Sequence, residues 1–460
     1  MVTKPNLKAT MPVDDIDAGF TATNDLFGLK VPGQGMTNIV STISEPLVIA
    51  LTGTWGSGKT VFLRQWEAEL KKGKYPVIYF DAFENDFVGD AFSVIAREIL
   101  QLRDNTKSEP QLAIEKVRSK AIKVGSMILS VGSKLAVKAA VRAATVGTVS
   151  SGDVAETFKD IADEAGDFSE ALVTEFIDGS AKQKEIVQKF KEALSQLPEA
   201  ISPAAPDEKQ KPLIFIIDEL DRCKPSFALE LLERIKHFLS VRNVHFVLGL
   251  NMNQLQASVR AAYGQDIDAI HYLQKFISLE IAIQQPDLDP SRSRNQKFIS
   301  HLASKVEIPK EHAESFGEAV NSLVKYAIVL KMNLRTIEKI FFLLQLSFIF
   351  TPATMFRMPH LVTGLCVLKI LYLGLFEKTL NGKLTYAEVE NALLLNEQPR
   401  DQNRAPFEWE RKWWQYFLLP TLPEEFSDFA NSLRRFNLGN RLEVIPWLAV
   451  NVVGKLVPNS

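Results

Sequence analysis

Cysteine is nearly absent from this chain: its 460 residues hold only Cys223 and Cys366. Two thiols build no disulfide framework, and such usage suits a reducing compartment. A net charge is nearly absent too. Lys and Arg number 53 against 55 Asp and Glu, so composition supplies no electrostatic pull toward nucleic acid or an anionic membrane. The N-terminal stretch MVTKPNLKATMPVDDIDAG lacks the basic start and apolar core of a secretory signal, so a cytoplasmic protein is expected. Internal repeats and low-complexity tracts are missing as well. What remains is ordinary globular text, 46% apolar and 23% charged, too long for one hydrophobic core.

Long uninterrupted apolar runs are also scarce. A spanning helix needs about 20 mostly apolar residues. IFFLLQLSFIF is shorter and stops at Thr351-Pro352, and LVTGLCVLKILYLGLF carries Lys369 in its interior. Both are expected to be buried helices of a helical domain. A third stretch, VGSMILSVGSKLAVKAAVRAATVGTV, places Lys134, Lys138 and Arg142 four residues apart on one helical face. Three central cations would each cost about 2.5–3.5 kcal/mol in a spanning helix.

The text that is present alternates strand with helix. PLVIALTG reads as a buried strand, KTVFLRQWEAELKKG as an amphipathic helix ending at Gly73, and YPVIYFDAF as a second strand. That order makes a βαβ unit on a parallel sheet. Helical text follows to about Leu197 and closes in the proline- and charge-rich PEAISPAAPDEKQKP. LIFIID, NVHFVLGLN and KFISLEIAI then read as three more strands, with a helix in PSFALELLERIKHFL. From Pro286 onward the periodicity is helical. The expected fold class is α/β, a parallel sheet flanked by helices, with a helical insertion and a helical C-terminal domain. The boundaries are 20–88 and 211–285 for the split core, 89–210 for the insertion and 286–460 for the C-terminal domain.

Between the first strand and its helix lies Gly53-Thr54-Trp55-Gly56-Ser57-Gly58-Lys59-Thr60, followed by Val61. It fits G-x-x-x-x-G-K-S/T, in the strand–loop–helix setting that the phosphate loop requires. The glycines turn backbone N–H groups inward as an anion nest, and the helix N-terminus adds its positive end. Lys59 can reach the β- and γ-phosphates, and the Thr60 hydroxyl can ligate Mg²⁺. The competing reading, a glycine-rich turn with a chance lysine, explains neither flanking element. Asp218, closing LIFIID, is placed to hold the magnesium, and Glu219 to orient and deprotonate the attacking water. The alternative is that DELD caps a helix, a role that suits Asp221. Asn251 ends the strand NVHFVLGL and would lie between the phosphate loop and the acidic strand. It is either a γ-phosphate or water contact or the cap of NQLQASVRAAY. Arg335 in KMNLRTIEKI either reports phosphate charge to the second domain or is a solvated helix arginine.

These stretches together resemble the KAP family of P-loop NTPases, within the group that uses an additional catalytic glutamate. The likeness rests on GTWGSGKT, VIYFDAFEND and LIFIIDELDRCKPSFALELLERIKHFL, and D-E-L-D-R-C at Asp218–Cys223 is its most distinctive part. NDLFGL and IHYLQKFISLEIAI add to it, so it covers about 25–284, with a looser echo in NLRTIEKI. One departure is Asp81-Ala82-Phe83, where the family has Asn-x-Trp. The resemblance implies an ATP-dependent switch, bacterial, with phage exclusion as a recurring role and with ATP in preference to GTP. It also implies membrane helices inserted between the two nucleotide motifs. Here that insertion, about 130 residues long, lacks a clean span. Residues 125–150 form either an ordinary helix packed on the core or a peripheral attachment to the inner membrane.

Two function classes follow. One is a Mg²⁺-dependent ATPase switch. The other is a module in which nucleotide holds a homo-oligomer or a partner protein in place and turnover is incidental. A helicase-like motor is disfavoured, because no basic groove interleaved with aromatics is visible and the nucleic-acid signal is weak.

Overall fold

The computed structural model describes residues 16–88, 208–236, 240–283, 294–306, 310–351, 357–396, 407–434 and 438–456, with positions 95, 98–99, 188, 191–192, 194–202, 308 and 436. The basic stretch 125–150 and most of the insertion lie outside the described residues. Contacts divide the chain into two compact units. One contains residues 13–53 and 58–284; the other contains 285–460 together with the loop tip Thr54–Ser57.

The first unit is built on five parallel strands: β1 (Val48–Thr52), β2 (Val77–Asp81), β3 (Leu213–Asp218), β4 (Val244–Leu250) and β5 (Leu279–Ala282). Their order is β2-β3-β4-β1-β5, so β4 separates the phosphate-loop strand from the acidic strand. Every residue of β1, β3 and β4 is buried. That explains why these strands read as unbroken apolar runs, since both faces of a parallel sheet are covered. Alternation still sorts the faces. Leu213, Phe215 and Ile217 join one apolar cluster, and Ile214 and Ile216 the other.

The second of these faces is covered by α1 (Lys30–Thr42) and α2 (Lys59–Lys72), through Met36, Val40, Phe62, Leu63 and Trp66. Asp25 starts α1 by accepting from the backbone N–H groups of Leu29 and Lys30, at 2.6 and 3.0 Å. The first face takes the short α3 (Leu197–Ile201), then α4 (Pro225–Arg234), α5 (Met252–Tyr263) and α6 (Ala269–Gln274). Ile95, Ile99 and Leu194 are buried in the same cluster, so both ends of the insertion contribute to the sheet core.

The second unit is helical. Its elements are α7 (Arg294–Ser304), α8 (Ala313–Val329), α9 (Leu334–Phe350), α10 (Pro359–Leu371), α11 (Leu373–Leu380), α12 (Tyr386–Ala392), α13 (Glu408–Leu418), α14 (Ser427–Arg434) and α15 (Arg441–Leu448). The two apolar runs from the sequence lie in α9 and in α10–α11, where most of their bulk is buried. Lys369, the charge that interrupts the second run, donates to the carbonyl of Val453 at 2.7 Å. No helix among the described residues is long and apolar enough to cross a membrane. The bundle also encloses a charge. Glu410, with no exposed surface, accepts from Lys325 Nζ at 2.9 and 3.0 Å and from the Ser322 hydroxyl at 2.8 Å. At one helix crossing, a Cβ on Gly364 would lie 2.6 Å from the Trp414 indole.

Candidate functional site

At the end of β1 the chain turns through Gly53–Gly58 into α2. Gly56 and Gly58 have φ of +73° and +87°, a left-handed backbone that side chains resist, and this is why the loop needs glycine there. Ser57 N–H donates to the Thr54 carbonyl at 3.1 Å and closes the turn. The Ser57 hydroxyl is buried without a hydrogen-bond partner, and Trp55 is about half exposed. Lys59, the first residue of α2, bends back over the loop and donates to the Gly53 carbonyl at 2.8 Å. Burial pushes its ammonium pKa down, and the carboxylates of Asp221 and Asp218 oppose that shift. A cation withdrawn from water at the start of a helix, directly after a left-handed glycine, suits a polyanion.

Asp218 ends β3 and is almost fully buried. Burial raises its carboxyl pKa, while hydrogen bonds from the Thr60 hydroxyl, the Glu219 N–H and the Tyr79 hydroxyl pull it back down. The Glu219 N–H lies 2.9 Å from Asp218 Oδ1, and the Tyr79 hydroxyl 3.0 Å from Oδ2. Thr60 and Asp218 thus present hard oxygen donors side by side, which fits Mg²⁺. No three His, Cys, Asp or Glu side chains converge as a metal site among the described residues. A magnesium carried on phosphates needs no such cage, since one or two protein oxygens suffice.

Glu219 follows in a left-handed conformation, φ +58° and ψ +27°, at the start of a short turn over Leu220–Arg222. Its Oε2 is 2.7 Å from Arg222 Nη1. Asp221 is buried within that turn. Asn251 stands at the end of β4 and caps α5: its Oδ1 accepts from the Asn253 N–H at 3.1 Å. The cap role is therefore realised for that side-chain oxygen.

The loop tip has its own neighbours within the helical unit. Asn333 caps α9, accepting from the Thr336 N–H at 2.8 Å, and the Leu334 N–H donates to the Gly56 carbonyl at 3.2 Å. A Cβ on Gly56 would lie 2.9 Å from Arg335 Cβ, so Arg335 stands at the phosphate loop in the first turn of α9. Arg294 on α7 donates to the Ser57 carbonyl at 2.6 Å.

Four of these residues were not legible as site residues. Gly249 leaves the space that Asp218 occupies, because a Cβ there would meet Oδ1 at 2.3 Å and Leu63 Cδ1 at 2.6 Å. A lone glycine inside VHFVLGL is the signal for it, since glycine in a central strand marks a close approach. Tyr79 reaches Asp218 from the neighbouring strand, with the Arg64 guanidinium 3.4 Å above its ring. Arg222 lies within the quoted motif, but its partner does not follow from the motif. Arg294 has no local signal at all.

The family model described as the KAP family P-loop domain matches residues 36–349, more than half of the chain. No curated protein sequence matches. Among solved structures the chain is similar to the ORC2 protein of Aeropyrum pernix, solved as ADPNP–ADP complexes. That match has 11% identity and a TM-score of 0.35, and it covers 91% of this chain and 87% of that one.

Proposed function

The chain belongs to the KAP family of P-loop NTPases, and on that footing we propose that it binds ATP with Mg²⁺ at Gly53–Val61 and hydrolyses it. The observation that carries this is the end of β3, where Asp218 is hydrogen-bonded to the Thr60 hydroxyl and Glu219 is the next residue. Lys59 and the loop N–H groups neutralise and orient the phosphates. Thr60 and Asp218 hold the metal, which supplies charge neutralisation on the phosphate oxygens. Glu219 accepts the proton of the attacking water. The additional-glutamate subclass rests on the family resemblance and on Glu219 following Asp218.

The tip contacts of Arg294, Leu334 and Arg335 support a conformational switch. The setting of that switch, exclusion of phage in bacteria, rests on the family resemblance alone. A second reading, nucleotide as the clasp of a homo-oligomer or a partner complex, is favoured by the ion pair that already occupies Glu219. A Glu219→Gln variant separates the two. Hydrolysis should fall by about 10²–10⁴-fold with ATP still bound, and phage protection should fall with it if turnover drives the switch. Wild-type turnover in that variant would refute Glu219 as the base. Protection that survives the loss of turnover would favour the clasp.

A further inference from the structure

The ion pair on Glu219 is built into the turn that carries it. The Arg222 N–H donates to the Glu219 carbonyl at 3.0 Å, which closes the turn and sets the two side chains on one side. The left-handed backbone at Glu219 fixes the direction in which its carboxylate leaves. The guanidinium then meets that carboxylate at 2.7 Å, with side-chain exposures of 27% and 17%. A pair so largely withdrawn from water binds more strongly than one on an open surface.

A carboxylate held this way is turned toward the guanidinium, so Oε2 is already engaged where it would have to meet an attacking water. The site nevertheless needs Glu219 as a base only when a terminal phosphate is present. Glu219, whose carboxylate the guanidinium holds, is tied by its N–H to Asp218 Oδ1 at 2.9 Å, and Asp218 in turn to the Thr60 hydroxyl of the phosphate loop. The same guanidinium therefore stands beside the end of β3, where the terminal phosphate of a bound nucleotide is expected. A phosphate terminus, with two or more negative charges and fork-shaped acceptors, is a better partner for it than a single carboxylate.

We propose that Arg222 is the residue that tells triphosphate from diphosphate: it latches Glu219 in the free and diphosphate-bound protein, and a terminal phosphate draws the guanidinium away and releases the base. This rests on the nucleotide-site reading above. Arg222 acts on the chemistry through Glu219 and is a positioning residue for that base.

The test is a double-mutant cycle in the full chain with Arg222→Gln, Glu219→Gln and the pair, read as thermal midpoints. Without nucleotide, and with ADP, the two substitutions should be non-additive by about 2 °C. With a non-hydrolysable ATP analogue they should become additive. In parallel, Arg222→Gln should cut the preference for the ATP analogue over ADP by about tenfold by weakening the analogue alone, with partial rescue by Arg222→Lys. Coupling that persists with the analogue, or that is absent without nucleotide, overturns the latch. An unchanged analogue-to-ADP ratio overturns the discrimination. If the wild-type chain binds neither nucleotide, the underlying site assignment fails instead, and the nucleotide-free cycle still reports whether the pair exists.

Discussion

Replacing Gly249 by alanine tests the site through a residue that does no chemistry. The added Cβ would stand 2.3 Å from Asp218 Oδ1 and 2.6 Å from Leu63 Cδ1. Carbon and oxygen settle at about 3.3–3.6 Å, so the carboxylate must retreat by about 1 Å. It is not free to do so, because Oδ1 accepts from the Glu219 N–H at 2.9 Å and Oδ2 from the Tyr79 hydroxyl at 3.0 Å. Moving one oxygen therefore breaks the hydrogen bonds that aim the carboxylate. A displacement of that size at a catalytic centre costs about 10²-fold in rate. Overpacking beside Leu63 adds a stability loss of about 1–3 kcal/mol. The assay is steady-state ATP hydrolysis across a magnesium titration, with the folded fraction followed by circular dichroism. Turnover should drop by about two orders of magnitude, and the magnesium midpoint should rise, in a protein that remains folded. Adding Leu63→Ala should relieve the packing strain without restoring activity. Wild-type turnover and magnesium dependence in Gly249→Ala would refute the assignment of Asp218. Full rescue by Leu63→Ala would move the effect from the carboxylate to the core.

Tyr79→Phe removes one of the three donors that oppose the upward shift of the Asp218 carboxyl, so its pKa, already raised by burial, rises further. The acid limb of the pH–rate profile should shift to higher pH, with activity lost earlier as pH falls and regained at higher pH, and the apparent magnesium constant should rise by about tenfold. An unmoved acid limb contradicts the role given to Tyr79. Lys325→Met strands the fully buried Glu410 without its cation and should destabilise the helical unit by about 3–5 kcal/mol, read as a lower denaturation midpoint. Gly364→Ala drives a methyl to 2.6 Å from the packed Trp414 indole, and a loss of about 1–3 kcal/mol is expected by chemical denaturation.

Much of the α/β core was legible because its signals are local. The phosphate loop fits within ten residues, and its glycines are needed by the backbone whatever surrounds them; Gly56 and Gly58 do adopt positive φ. The buried strands were legible for a different reason. A central parallel strand is apolar on both faces, so LIFIID stands out in any window. The grouping of Thr54–Ser57 with the helical unit was not legible, because packing across about 230 residues of chain leaves no periodic trace.

Residue order alone was enough to read the glycine-rich loop between a strand and a helix, the acidic pair at the end of a buried apolar run and the helical periodicity after Pro286. Each is a matter of residue type at short spacing, where backbone sterics and hydrophobic periodicity act directly. The folded chain was needed to see that Gly249 makes room for Asp218, that Tyr79 and Thr60 hold it, that Arg222 pairs with Glu219 and that Arg294 reaches Ser57. Those contacts depend on strand order, register and rotamer, which bring together side chains that no local pattern relates. The residues carrying charge were readable from the chain, while their partners were a property of the fold.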